Sequence, residues 1–315
     1  MRSATTGDIA TTQLGNSATS ETINTFGELD AYTASYSGAQ LYSEQVTQRD
    51  GAGRIRQRIE TNQGVSKTYG YSYDGAGRLA DVTVDGLQKA HYDYDTNGNR
   101  LAQTTSMASV QAQYDDQDRL IAYGSKAFGY NTAGELTSKQ DGNGATSYDY
   151  DAQGQLRGVA LPNGQHVDYE LDALGRRIAK RVDGVKQWGL LYSSRIRPAA
   201  QLAADNTVIA SFVYATRAQV PDYMKRGTTT YRFVVDHLGS VRKVVDVTTG
   251  AVAQELDYDE FGNVLADTNP GFQPFGFAGG LYDADTGLVR FGARDYDAVT
   301  GRWTAKDPIL FAGGD

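Results

Sequence analysis

Tyr73-Asp74-Gly75-Ala76-Gly77-Arg78-Leu79 is the stretch on which the fold turns. Asp at the first position of a type I turn can cap backbone N–H groups with its carboxylate. Gly three residues later supplies the left-handed conformation that closes a hairpin with a bulge. Before the turn, Tyr69, Tyr71 and Tyr73 alternate, and period two places their rings on one face of a strand.

The unit recurs in both directions along the chain. Upstream lies Asp50-Gly-Ala-Gly53-Arg-Ile55, with Arg49 in place of the aromatic residue. Downstream are Tyr94-Asp95-Thr-Asn-Gly98-Asn-Arg-Leu101, Tyr130-Asn131-Thr-Ala-Gly134, Tyr150-Asp151-Ala-Gln-Gly154 and Leu171-Asp172-Ala-Leu-Gly175. A degenerate copy spans Tyr114 to Leu120, with its anchor placed at Asp116. The anchors at 50, 74, 95, 116, 131, 151 and 172 are separated by 24, 21, 21, 15, 20 and 21 residues. A period near 21 accommodates two strands of about seven residues and two turns, each strand about 23 Å long. One hairpin cannot bury its own aromatic face, but neighbouring hairpins can, and they pair each other's edges. The expected fold is therefore all-β: tandem hairpins in a curved or spiralling antiparallel sheet.

Composition agrees. The 315 residues include 36 Gly and 21 Tyr but 6 Pro, 3 Met and no Cys. With 40% hydrophobic residues, Tyr must supply much of the buried area. The net charge of −8 argues against a nucleic-acid or anionic-membrane surface, since both need clustered Lys and Arg. The absence of Cys excludes disulfides, thiolate catalysis and Cys-based zinc sites. Residues 1–30 contain no apolar signal-peptide core, and no run of 18 apolar residues offers a membrane span. Either the protein is secreted or reaches the cell surface by another route, a specialised secretion system, or the start shown here is internal to a longer chain, which is the favoured reading.

Four segments are expected. Residues 1–40, rich in Thr, Ser and Ala, read as an incomplete repeat or a frayed end, and 41–185 carry the repeats. Residues 186–230, with Trp188, Pro198 and Pro221, break the period and read as irregular connections, with a short helix expected over 199–204. Residues 231–315 form a last region dense in Gly, Phe and Asp toward its end.

Other chemistry is sparse. His91, His166 and His237 lack metal-ligand spacing, and the Asp95 and Asp141 turns lack the Glu that a calcium loop requires. No Gly-rich cofactor loop or Walker motif is present, so no cofactor or metal is expected. Arg54, Arg78, Arg100 and Arg119 follow their turns and are expected to pair with repeat Asp residues.

The last region carries a resemblance. Asp236-His-Leu-Gly-Ser-Val-Arg242, Tyr258-Asp-Glu-Phe-Gly-Asn263, Phe291-Gly-Ala-Arg-Asp-Tyr-Asp297, Thr300-Gly-Arg-Trp303 and Asp307-Pro-Ile-Leu-Phe-Ala-Gly-Gly314 occur in order. Together they resemble the core segment of Rhs (YD-repeat) proteins, a family that includes Tc toxin C components, wall-associated toxins and teneurins. The resemblance implies a partial shell of hairpins ending in an Rhs core segment, with a C-terminal toxin effector as its partner. It also implies an intramolecular aspartic protease: Arg294-Asp295 and Asp307 match the family's Arg-Asp pair with a second Asp twelve residues on. Two carboxylates sharing a proton can divide the roles of base and acid. They could face each other if the chain turns at Thr300-Gly301. Against this stands the plain reading that both are turn aspartates. The family's cleavage site and effector lie downstream of the last motif, so a truncated chain or shell fragment is expected, with other shell components, secretion components or self-association completing it. The alternative is a surface-exposed carbohydrate-binding or adhesive module, its Tyr rows stacking on sugars.

Overall fold

The computed structural model describes residues 1, 2, 7 and 9–307. The chain divides into two compact units, Met1–Gly124 with Val247–Gly250, and Ser125–Asp246 with Ala251–Asp315.

The first unit contains β1 (Thr11–Leu14), β2 (Ser17–Ile23), β3 (Leu29–Tyr36), β4 (Ala39–Arg49), β5 (Ile55–Asn62), β6 (Val65–Tyr73), β7 (Leu79–Val84), β8 (Leu87–Tyr94), β9 (Arg100–Thr105), β10 (Ser109–Tyr114) and β11 (Leu120–Tyr123). Each pairs antiparallel with the next. The turn chemistry read from the sequence is observed. At Asp74, the backbone N–H donates to Arg78 O at 2.9 Å, and Gly77 N–H donates to Asp74 O at 3.0 Å. Asp74 Oδ1 accepts the N–H groups of Ala76 (3.0 Å) and Arg78 (2.9 Å). Gly77 has φ 86°. This is a type I turn closed by a glycine bulge. The other hairpin ends are two-residue turns such as Asp85-Gly86, where φ is 51° and 80°; two consecutive positive φ values match strand twist.

The last strands before each turn are tied to the preceding hairpin. Tyr73 donates its hydroxyl to Ile55 O (2.7 Å), Tyr94 to Leu79 O (2.9 Å) and Tyr114 to Arg100 O (3.0 Å). The Tyr ring thus packs beside one hairpin while its hydroxyl satisfies the carbonyl just after the previous turn. The buried side of this unit is mostly Tyr and Ala, including Tyr32, Ala34, Tyr42, Ala90, Tyr92 and Ala102. Large and small residues alternate, as close packing needs.

The second unit contains β12 (Lys126–Tyr130), β13 (Leu136–Asp141), β14 (Gly144–Tyr150), β15 (Leu156–Ala160), β16 (His166–Leu171), β17 (Arg177–Val182), β18 (Val185–Tyr192), β19 (Pro198–Leu202), β20 (Val208–Val213), β21 (Tyr223–Arg226), β22 (Thr229–Val235), β23 (Val241–Asp246), β24 (Val252–Tyr258) and β25 (Val264–Asp267), again paired in chain order. A separate four-stranded sheet follows: β26 (Leu281–Asp283), β27 (Leu288–Phe291), β28 (Arg294–Asp297) and β29 (Arg302–Trp303). Two apolar clusters fill this unit. One gathers Phe212, Met224, Phe233, Val244, Leu256 and Phe275; the other gathers Leu136, Leu156, Val159, Val167, Tyr169 and Leu288.

Several expectations are corrected. Residues 199–204 are not helical, since β19 occupies Pro198–Leu202 and pairs on both sides; its neighbours supply the ladder bonds that a short Ala-rich helix would forgo. Paired strands run through most of 186–230, leaving longer connections at 193–197, 203–207 and 214–222. Within 1–40, the stretch 11–36 holds three paired strands, and Asn24 Oδ1 caps Phe26 N–H and Glu28 N–H, a repeat turn without its aromatic residue. In the degenerate copy the anchor is Asp115: its Oδ1 accepts Gln117 N–H and Arg119 N–H. Asp118, at φ 57°, stands where Gly usually does, a conformation Asp tolerates better than most residues. Arg54, Arg78 and Arg119 pair with their turn aspartates; the Asp95 turn is built differently. One extra residue follows Gly98, so Asn99 takes the pairing position (Nδ2 to Asp95 Oδ2, 2.9 Å) and Arg100 turns inward between the rings of Tyr92 and Tyr123.

Candidate functional site

The residues singled out for chemistry lie on β28 and just beyond β29. The two-residue connection Gly292-Ala293 folds β28 back on β27, setting Arg290 opposite Asp295 and Phe291 opposite Arg294. Consecutive strand residues face opposite ways, so Arg294 and Asp295 belong to different surfaces of this sheet.

On one surface, Phe291, Tyr296 and Trp303 form an aromatic group with ring centroids 5.5 to 6.3 Å apart. Arg294 lies over Trp303 at 4.1 Å and bridges Asp307 at 3.0 Å. Both partners are about one-quarter to one-third exposed. On the other surface, Asp295 is 2% exposed. One of its oxygens accepts Arg177 from β17 at 2.9 Å, the other Arg290 from β27 at 2.7 Å. Beside this trio, Lys180 pairs with Asp283 and Asp285, each at 2.5 Å, and Tyr169 donates to Asp283 at 2.7 Å. Arg177 also lies over the Tyr169 ring at 3.4 Å. Burial raises the Tyr169 hydroxyl well above its ordinary range, with Asp283 adding to the effect.

The structure therefore brings Arg294 to Asp307, while Asp295 is seated among Arg177 and Arg290. The chain does reverse at Thr300-Gly301: Gly301, at φ 69°, donates its N–H to Asp297 O at 2.8 Å. Thr304 N–H then donates to Asp295 O at 2.9 Å, tying the approach to Asp307 to the backbone of Asp295. The Thr304 carbonyl accepts Leu136 N–H (2.8 Å) and the Tyr150 hydroxyl (3.4 Å), which docks this terminal segment against β13 and β14. The remainder of the final motif, from Pro308 through Gly314, lies outside the described residues.

Arg177, Lys180, Asp283 and Arg290 were not picked out from the sequence. A signal existed for Arg177: Gly175-Arg-Arg-Ile178 has the same extra residue after the turn as Gly98-Asn-Arg-Leu101, and in both the second residue turns inward. Nothing local marks the other three: Lys180 and Asp283 meet across 103 residues, and Arg290, though five residues from Asp295, gains its place from a carboxylate it shares with the distant Arg177.

Comparison with known proteins places this architecture. Teneurin-4 of Mus musculus is 29% identical over 275 residues, covering 84% of this chain and 10% of its own length. Teneurin-1 of Gallus gallus is 32% identical over 246 residues, covering 76% of this chain and 9% of its own. Double-stranded DNA deaminase toxin A of Burkholderia cenocepacia (strain H111) is 32% identical over 305 residues, covering 84% of this chain and 20% of its own. The chain thus spans a tenth to a fifth of these relatives. Among solved structures, the TcdB2-TccC3-Cdc42 crystal structure aligns at a TM-score of 0.42 and 13% identity, over 98% of this chain and 23% of that one. The teneurin YD-shell family matches residues 1–312; with its Tyr-Asp turns, hydroxyl-tied hairpins and Rhs-type final motifs, the chain belongs to that family of YD-repeat proteins.

Proposed function

We propose that this chain is a stretch of wall in an effector-enclosing YD-repeat shell of a secreted or cell-surface toxin, and that its last hairpins take part in releasing the effector. The observation that carries the reading is the way each hairpin is closed onto its neighbour. Tyr hydroxyls, ladder bonds and a buried Tyr/Ala side join successive repeats into a wall, suited to containment rather than to turnover. The similarity to a bacterial protein named as a toxin supports the same reading. In the full-length gene product, polypeptide downstream of residue 315 should resist trypsin while the shell is folded and become sensitive when it is unfolded in urea. Equal digestion under both conditions would rule out enclosure.

For release, we propose Asp295 and Asp307 as the carboxylates of an intramolecular aspartic protease, with Arg294 positioning Asp307. One carboxylate would take a proton from the attacking water, and the other would return one to the departing amide nitrogen. The Arg294–Asp307 contact and the Thr304–Asp295 backbone bond bring the two segments together; cleavage requires in addition that the Asp295 carboxylate leave Arg177 and Arg290 and reach the same water as Asp307. Its test is cleavage of the chain extended by its native downstream segment. An intact product, or cleavage unchanged in Asp307→Asn, removes the protease.

A further inference from the structure

The second unit contains a cavity of about 250 Å³ between the Ser193–Arg197 loop, the 275–281 segment and β27. Its walls are largely apolar: Tyr192, Ile196, Pro198, Phe275, Leu281 and Phe291. Three arginines, Arg176, Arg195 and Arg290, also line it, and no acidic side chain does. In a chain of net charge −8, that is a local reversal of sign. The three cations differ. Arg176 is neutralised by Asp172 at 2.6 Å. Arg290 is buried; it shares the single carboxylate of Asp295 with Arg177, donates also to Gly175 O at 3.0 Å and Gln155 Oε1 at 3.3 Å, and its Nε has no acceptor. Arg195 is exposed at the mouth and has no ion-pair partner among the described residues. Burial lowers the Arg290 guanidinium from its ordinary range, as expected where positive charge is incompletely compensated. Ala278 in the wall holds a left-handed backbone at φ 47°, a conformation that non-glycine residues keep only when their surroundings impose it.

We propose that this cavity binds an organic carboxylate with an apolar body, the apolar part seated among Ile196, Phe275 and Phe291 and the carboxylate pairing with the exposed Arg195, while the buried Arg290 adds positive charge from behind the wall. Charge complementarity selects the anion, and the apolar wall selects what carries it. Two sources share this chemistry, the C-terminal end of a hydrophobic peptide and a small free acid. The site stands whether or not the chain encloses an effector.

The test is calorimetric titration of the whole chain with N-acetyl-leucine, N-acetyl-leucinamide, acetyl-Gly-Gly-Ala-Leu as acid and as amide, and inorganic phosphate. Each free acid should bind about tenfold or more tightly than its amide, because an amide cannot replace a charge-assisted pair. Arg195→Gln should weaken the acids about fivefold or more and leave the amides unchanged; its exposed position spares the fold. A tetrapeptide acid far tighter than N-acetyl-leucine identifies a peptide end as the source, and equal affinities identify a free acid. The proposal fails if acid and amide bind alike, if no acid binds at millimolar concentration, if phosphate binds as tightly as the acids, or if Arg195→Gln changes nothing.

Discussion

Gly77 and Asp74 show how much a single repeat position decides. Gly77 sits at φ 86°, and a Cβ there would come within 2.5 Å of the Arg54 guanidinium. The guanidinium can move aside, so the cost of Gly77→Ala is mainly that of a left-handed alanine, about 1–2 kcal/mol; urea denaturation should report a loss of that size. The turn carboxylates give the fold a pH dependence. Backbone and side-chain hydrogen bonds from Arg78 lower Asp74, the Asn99 amide lowers Asp95, and the Arg119 guanidinium lowers Asp115, each below the ordinary 3.8. A carboxylate whose folded pKa is depressed stabilises the fold above its unfolded pKa and loses that contribution as pH falls through the folded value. Thermal stability should therefore decline steadily below about pH 4. A single substitution of Asp74 by Asn should flatten the curve slightly, because several turns share the effect. His91 works in the opposite direction. Its hydrogen bond to Asp81 (2.7 Å) raises the imidazole above 6.5, so its contribution is complete at acid pH and fades as pH rises through the raised value.

At the level of strands, register creates a demand that a local reading does not foresee. Pairing of β4 with β5 sets Glu44 directly opposite Glu60 on a buried surface. Like charges opposite one another destabilise a sheet. Arg58 resolves the conflict by bridging Glu60 at 2.8 Å and approaching Glu44 at 3.6 Å, while covering the Tyr69 ring at 4.3 Å. Arg58→Met should then cost about 3–5 kcal/mol, the penalty for leaving buried charge uncompensated. Adding Glu44→Gln and Glu60→Gln to that variant should recover most of the loss. If the triple variant is as unstable as the single one, packing rather than charge is what Arg58 provides.

Across the second unit, Asp295 joins β17, β27 and β28 through Arg177 and Arg290, so its replacement has two consequences that must be separated. Asp295→Asn leaves two buried guanidiniums sharing a neutral amide and should cost about 3–5 kcal/mol whatever the chemistry. Asp307, one-third exposed and paired with Arg294, can become Asn with little effect on stability. A loss of cleavage in Asp307→Asn at unchanged melting temperature therefore speaks for catalysis, whereas the same loss in Asp295→Asn alone does not.

The sequence alone determined the repeating hairpin, because that unit is local: Asp, Gly and Tyr act within five residues of one another, and their spacing states where each turn falls. The opposite hairpin ends, at Asp85-Gly86 and Asp183-Gly184, carry dipeptides that favour two-residue turns, a signal outside the repeat unit on which the expected fold rested. It also marked Arg294, Asp295 and Asp307, through motifs rather than through contacts. Only the tertiary structure decided that Arg100 and Arg177 point inward, that Glu44 meets Glu60, and that Asp295 is shared by two arginines while Asp307 turns to Arg294. The physical reason is range. Turn chemistry is settled by neighbours in the chain, whereas the partners of a buried charge are set by register and docking, across 118 residues for Arg177 and Asp295, which no local pattern records.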